Sequence, residues 1–571
     1  MPLPLLAAIV CAVLIASYLL YGRFLAREFA LRDDTRTPAH ERQDGEDFVP
    51  TPRFYLLGQH FSAIAAAGPI AGPIAAATKF GWLPCVLWIG IGVVFVGAVH
   101  DFTALVASVR HRANSIAEIV REHIGPRAWA AMLAFIWIAL VYVILAFTDV
   151  TAETFVGKSE ELAGFDGKAI EFNRGGAVAA AAVMYLLLGV VMGLVQRRWK
   201  PKLWLVTAVF VPATLGVIWL GTKVSTVLIL PQTTWGVAIL AYCFVASLIP
   251  VWLLLQPRGY LGGFVLYGVL AIGVYGVFFG GYDVKLPAVT GAPLTSLGTD
   301  AIFPFLFVTI ACGACSGFHG LVCSGTTSKQ VDKEGDCRVV GYGAMLLEGL
   351  VAIIALSTVM ILSADEAKAG GAPSKLYGAG IASFLCKIIG PEHRTFAEVF
   401  GTMAFSTFVF DTLDVATRLG RYIVQELTGR KSRAAAFAAT FVTVAAPAAL
   451  MLGTEPNSFL KFWTLFGTSN QLLAALTLLG ISVWLHRTGR RSWYVVLPMA
   501  FVMAITVWSL VLQIRDYAQK ASAGGDTAAA NWANAVVGVV LLGLALYFVF
   551  EAVRAFRRPR EAIAATPGTP A

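Results

Sequence analysis

Two runs of helix-breaking residues carry most of the chemistry this sequence offers. One is Gly68-Pro69-Ile70-Ala71-Gly72-Pro73, and the other is Cys312-Gly313-Ala314-Cys315-Ser316-Gly317-Phe318-His319-Gly320. Proline removes an amide donor and clashes with the preceding turn, and glycine weakens a helix, so each run is expected to unwind a turn. Freed amides and carbonyls are costly in an apolar setting unless they face a cavity or a solute. Half-helix N-termini attract a carboxylate, and exposed carbonyls hold a cation. A single Gly-Pro pair reads better as a kink packed by neighbouring helices; the second, matching run favours a site. Gly68, Pro69, Gly72, Pro73, Ser316, Gly317, Phe318 and His319 are therefore the candidate substrate-binding residues.

Ionisable residues within apolar helices default to function or to a buried pair. His100, Asp101, Glu348 and Asp411, with Ser406 and Thr407 one turn above Asp411, are the candidate ion-coupling residues, serving a proton or, through oxygen ligands, sodium. Asp411, Asp414 and Arg418 share one helix face, and an ion pair among them is the structural reading of Asp414. Gln59 and His60 precede the first break, and Ser469, Asn470 and Gln471 interrupt another apolar helix. The latter trio reads first as interhelical hydrogen bonds and second as pathway lining. Cys312, Cys315, His319 and Cys323 are spaced three, four and four apart, which stacks them on one helix face. A straight helix spreads residues that far apart over about 16 Å, too long for one tetrahedral ion, so no metal site is expected. Neither an HExxH pattern nor a Walker motif occurs, so no catalytic residues and no self-contained ATP-driven pump are expected.

The elements that must position these residues are apolar helices. The chain has 571 residues, 58% hydrophobic and 13% charged, with a mean hydropathy of +0.74. Fifteen apolar stretches between residues 3 and 553 are each long enough to cross a bilayer, which needs roughly 20 residues. Their connectors alternate between arginine-rich and arginine-poor. The odd-numbered connectors and the C-terminal tail hold about 30 of the 43 Lys and Arg. Basic residues stay on the cytoplasmic side during insertion, so the N-terminus is expected outside and the C-terminus inside. The net charge of +9 sits in these short turns and calls for a lipid bilayer as partner, not nucleic acid. The first stretch lacks a basic n-region and has Arg23 and Arg27 behind it, so it reads as a retained helix and not a signal peptide. Residues 375 to 390 are apolar but short, and read as a re-entrant or interfacial piece.

Corresponding features recur with opposite orientation. His100-Asp101 follows the first break by about thirty residues, and Glu348 follows the second by about thirty. Thr148-Asp149-Val150-Thr151 ends the fourth span, and Leu413-Asp414-Val415-Ala416-Thr417 ends the eleventh. An inverted-topology repeat predicts this pattern. The expected fold is an all-α polytopic membrane protein of about 15 transmembrane helices, with inverted five-helix repeats, two broken helices and extra helices. Its parts are an N-terminal helix and cytoplasmic linker (1–53), a transporter core (54–485, with repeats at 54–221 and 302–485 and an extra pair at 235–281), C-terminal helices (493–553) and a disordered cytoplasmic tail (554–571).

The runs at 58–77, 97–112, 303–330, 408–427 and 462–475 resemble, in one order, the carbon starvation protein A family. That resemblance implies a bacterial inner-membrane transporter taking up peptides, or pyruvate in close relatives, under nutrient limitation. It also implies a LeuT-like core akin to the amino acid, polyamine and organocation transporters. A small carboxylate-bearing solute, driven by a proton or sodium gradient and needing no cofactor, is the expected substrate. On this reading Gly72→Leu or Gly317→Leu should stop uptake without unfolding the protein. The readings from other classes are an intramembrane metal-dependent enzyme built on the Cys and His cluster, and a transporter-like nutrient receptor that signals to a sensor partner.

Overall fold

The structure is a computed structural model. It describes all residues except 46, 66, 164–168, 431, 454–458, 526 and 559–571, with 161–163, 169–170 and 459–461 described in backbone only. The helices that matter are α1 (Leu3–Glu28), α2 (Arg53–Ile64), α3 (Gly68–Phe80), α4 (Trp82–Arg110), α5 (Ile116–His123), α6 (Pro126–Thr154), α7 (Arg174–Trp199), α8 (Leu203–Lys223), α9 (Gln232–Leu248) and α10 (Leu255–Phe279). They continue as α11 (Ile302–Thr309), α12 (Gly317–Gly325), α13 (Arg338–Met360), α14 (Pro373–Ile389), α15 (Arg394–Thr428), α16 (Arg433–Leu452), α17 (Phe459–Arg487), α18 (Trp493–Ser522) and α19 (Ala528–Phe556).

Among the described residues, twelve helices are long and apolar enough to cross a membrane, or thirteen if the pair α2 and α3, bent by 48°, is one span. The expected fifteen is not reached by that measure, for a physical reason. The breaks divide two stretches into short helices, and α9 has only 17 residues. The chain is also not wholly helical: Ser159–Ala163 and Ala169–Asn173 pair as an antiparallel hairpin. The tail from 559 onward lies outside the described residues, and α19 extends the ordered helix to Phe556.

Lipid is as apolar as a leucine side chain, so burial sorts helices into centre and rim. The most apolar window of α17 is 100% buried and that of α8 only 22%, which places α17 at the middle of the bundle and α8 at its edge. The piece at 375–390, expected as re-entrant or interfacial, forms most of α14. It packs on α15 with Leu376, Tyr377, Ile381 and Phe384 buried.

Contacts between connectors sort them onto two faces, as the arginine alternation requires. On the arginine-poor face, Pro2 pairs with Asp283 and the amide of Leu83 bonds to Ala288. On the arginine-rich face, the connector after α1 lies across residues 330–335. There the Thr37 hydroxyl donates to the Val331 carbonyl (2.6 Å), His40 Nε2 meets Asp332 (2.8 Å), and the Arg32 amide donates to Glu334 (2.8 Å). Arg110 at the end of α4 adds a 2.6 Å ion pair to the same Glu334.

Candidate functional site

The first break differs from the expected one in position. Gly68, Pro69, Gly72 and Pro73 do not unwind; they form the first turns of α3, and the chain departs from helix just before them, around Ala65 and Ala67. Pro69 is tolerated there because a helix's first turn has no partner for its amides anyway, whereas Pro73 lies inside the helix and removes one backbone bond. The second break is where the sequence placed it. α11 stops at Thr309, Ser316 is extended (φ −124°, ψ 125°), and α12 starts at Gly317.

The two breaks lie against each other. A Cβ on Gly68 would come 2.5 Å from the Cys312 side chain, and one on Gly72 would come 2.6 Å from the Thr309 carbonyl oxygen. Both α3 and α12 begin at this junction, so two helix N-termini, each with partial positive charge, converge on it.

α17 supplies the polar groups that the second break needs. Asn470 Oδ1 accepts from the Phe318 amide at 2.9 Å, while Nδ2 donates to Ser316 Oγ at 3.0 Å. Gln471 Nε2 donates to the Phe307 carbonyl at 2.9 Å, and Trp463 Nε1 to that of Thr309 at 3.2 Å. The ends of a broken helix are thus satisfied by side chains in place of water. Among the described residues, Ser469 bonds within its own helix, to the Phe466 carbonyl. Close backbone approach completes the joint, because a Cβ on Gly317 would lie 2.4 Å from the Asn470 carbonyl oxygen. Leucine at Gly72 or Gly317 would therefore meet backbone, and the expectation that such variants stay folded is corrected.

Just past this joint lies a buried chain of titratable groups. Asp101 of α4 accepts from His100 Nδ1 (2.8 Å) on one oxygen and from His319 Nδ1 of α12 (2.9 Å) on the other. His319 Nε2 lies 3.4 Å from Glu348 Oε2 of α13. Cys323 Sγ connects the chain to His60, 3.9 Å away, and His60 Nδ1 bonds to Thr327 Oγ1 at 2.8 Å. His60, His100, Asp101, His319 and Glu348 are each at most 1% exposed, so this is interior and not the border of an inner vestibule. Gly320 makes room for it: a Cβ there would stand 3.2 Å from the His100 ring.

A second buried cluster holds Asp411. Arg258, wholly buried at the start of α10, bonds to Asp411 and lies 3.0 Å from Asp414, both on α15. Tyr242 donates to Asp414 at 2.9 Å, and Tyr185 to the Arg258 carbonyl at 2.8 Å. The expected pairing of Asp414 with Arg418 is not made; Arg418 donates to the Ala246 and Ile249 carbonyls. The Ser406 and Thr407 hydroxyls both donate to the Met403 carbonyl of their own helix. Gln59 is exposed, away from the buried chain that includes its neighbour His60. Of the cysteines singled out with His319, Cys312 contacts Asn470 and Cys323 contacts His60, so they do not gather about one point.

A cavity of about 680 Å³ opens on the arginine-poor face and reaches Thr309 at the end of α11 and Ala75 on α3, between walls that include Glu153, Trp463, Asp516 and Lys520.

The sequence profile described as Carbon starvation protein CstA matches residues 3–378 and 364–509. The chain belongs to the carbon starvation protein CstA family. Among CstA relatives, it is 33% identical to the "Peptide transporter CstA" of Mycobacterium tuberculosis, over 86% of this chain and 73% of the relative. It is 31% identical to that of Bacillus subtilis, over 95% of each chain. It is also 31% identical to the "Pyruvate/proton symporter BtsT" of Escherichia coli, over 92% of this chain and 85% of the relative. A crystal structure of the Eremococcus coleocola manganese transporter aligns with a TM-score of 0.46 and 13% identity, covering 90% of this chain and 99% of that one. The CstA-family chain described here is thus a multi-pass membrane protein with transporter relatives. Its motif runs 58–77, 97–112 and 303–330 meet in the buried histidine chain.

Arg258 is the residue that reading the sequence missed. It is the only basic residue in its connector, where an arginine reads as an orientation signal. The pair of aspartates on α15 was its signal, and Arg418 on the same helix face masked it.

Proposed function

We propose that this protein is a proton-coupled importer of small carboxylate-bearing nutrients, a short peptide or pyruvate, in the bacterial inner membrane, with its N-terminus outside and its C-terminus in the cytoplasm. The observation that carries this reading is His319, an imidazole buried between Asp101 and Glu348. Such a group exchanges a proton between carboxylates with little movement. Ion-coupling by the buried chain is supported by its position immediately beyond the joint of the two breaks.

Substrate enters from the arginine-poor face through the cavity that ends on Thr309 and Ala75. Its carboxylate is drawn to the convergent N-termini of α3 and α12. In this reading the pairing of the connector after α1 with residues 330–335 is the latch on the opposite side. Protonation of the chain beside α12 then favours release of that latch and rocking of the helices around the break. Names of relatives support both solute classes, one being a peptide transporter and another a pyruvate/proton symporter.

The deciding experiment is uptake into proteoliposomes of labelled pyruvate and of a dipeptide under an imposed pH gradient, with and without sodium. Accumulation of at least one solute that follows the pH gradient and ignores sodium is expected. Accumulation driven only by sodium, or equilibration with no concentration, would overturn the reading.

A further inference from the structure

The turn that ends α4 on the arginine-rich face brings two imidazoles together outside the membrane-spanning segments. Arg112 and Ala113 both have φ of 58°, a left-handed conformation that side-chain-bearing residues seldom adopt, and two in succession fold α5 back beside α4. The result is that His111 Nε2 and His123 Nε2 face each other at 2.8 Å. Together with a carboxylate oxygen of the exposed Glu122, the ligand-type atoms all lie within 4.8 Å of one another.

The His111 ring is held from behind. His111 Nδ1 donates to the Ala107 carbonyl at 2.6 Å, which fixes the proton on Nδ1 and leaves the lone pair of Nε2 pointing at its neighbour. That backbone bond is the usual outer support of a metal-ligating histidine. The Trp484 ring meets His111 edge-on at 5.1 Å, and Arg487 donates to the His123 carbonyl at 2.6 Å, so α17 pins both partners. His123 is 4% exposed.

We propose that His111, Glu122 and His123 bind one divalent transition-metal ion of the zinc class, with water in the fourth position. Two imidazole nitrogens and one carboxylate are a familiar ligand set for such an ion. Bonds of about 2.0–2.1 Å in a tetrahedron place ligand atoms about 3.3 Å apart. The rings need only separate by a few tenths of an ångström from their present 2.8 Å. Arg487 and Arg112 oppose a cation and Glu122 favours one, so binding is expected to be of moderate strength. The site lies apart from the buried histidine chain and does not depend on the transport reading. An ion there would clamp the corner between α4 and α5 to α17.

The test is titration of the detergent-purified full-length protein, isolated on a histidine-free tag, with Co²⁺ as a visible probe and Zn²⁺ as competitor. One equivalent of Co²⁺ giving the strong visible absorption of four-coordinate cobalt, and lost on adding Zn²⁺, is expected. His111→Gln should abolish the signal, and Glu122→Gln, an exposed change that spares the fold, should weaken binding at least tenfold. Absence of the signal in the parent protein, or an equal signal in His111→Gln and Glu122→Gln, would overturn the site and leave two histidines sharing a proton.

Discussion

The two buried ionic clusters are built from opposite materials. Around Arg258 the cation is permanent, because guanidinium does not lose its proton in proteins, and Asp411 and Asp414 are pinned to it with Tyr242. Around His319 there is no permanent cation: every group from His60 to Glu348 can gain or lose a proton. One arrangement fixes helices α9, α10 and α15 together; the other stores a charge that can change. A transporter needs both, a rigid frame and a part whose energy depends on what is bound, and here they occupy different helices.

The largest effect should come from breaking the fixed cluster. Arg258→Met leaves buried Asp414 and half-buried Asp411 without their cation and should cost about 3–5 kcal/mol of stability, read as thermal unfolding in detergent. Adding Asp411→Asn and Asp414→Asn should restore most of it. Parent-like stability of Arg258→Met alone would erase the distinction drawn above. Next, Asn470→Ala strands the Phe318 amide and should lower stability by about 1–3 kcal/mol, with uptake falling in parallel.

His319→Gln tests the exchangeable cluster. Its stability should stay close to the parent, while accumulation under a pH gradient falls at least about tenfold, or 1.4 kcal/mol. Counterflow of substrate with no gradient should persist, and equal loss of counterflow would make His319 a binding or structural residue instead. The smallest change is expected for Glu348→Gln, which keeps the shape and should flatten the pH dependence of uptake while leaving the rate at the optimum within about tenfold, again 1.4 kcal/mol.

Much of this was legible in the residues, though unevenly. Hydropathy and the placement of arginine were enough to sort connectors onto two faces, because insertion obeys local charge. Both interruptions were visible as Gly-Pro and Gly-rich runs, yet the first break sits before Gly68, since Pro69 fits the opening turn of a helix and Pro73 is carried inside it. His100, Asp101, His319 and Glu348 each stood out as ionisable groups in apolar surroundings. Their meeting did not, because three separate helices supply them and periodicity says nothing of which helices touch. Asn470 was read as an interhelical donor, and only packing reveals that it serves a broken helix. Arg258 was hidden by the very rule that orders the rest, which assigns any arginine between spans to orientation.

The latch on the arginine-rich face has a bearing on how the protein is made. Thr37 and His40 reach partners 294 and 292 residues further along the chain. Ribosomes deliver the amino end first, so this seal cannot close until more than half of the polypeptide has emerged and threaded into the bilayer. A truncated product would leave the doorway ajar, and quality-control proteases would find an unfastened strand wherever synthesis had stopped early.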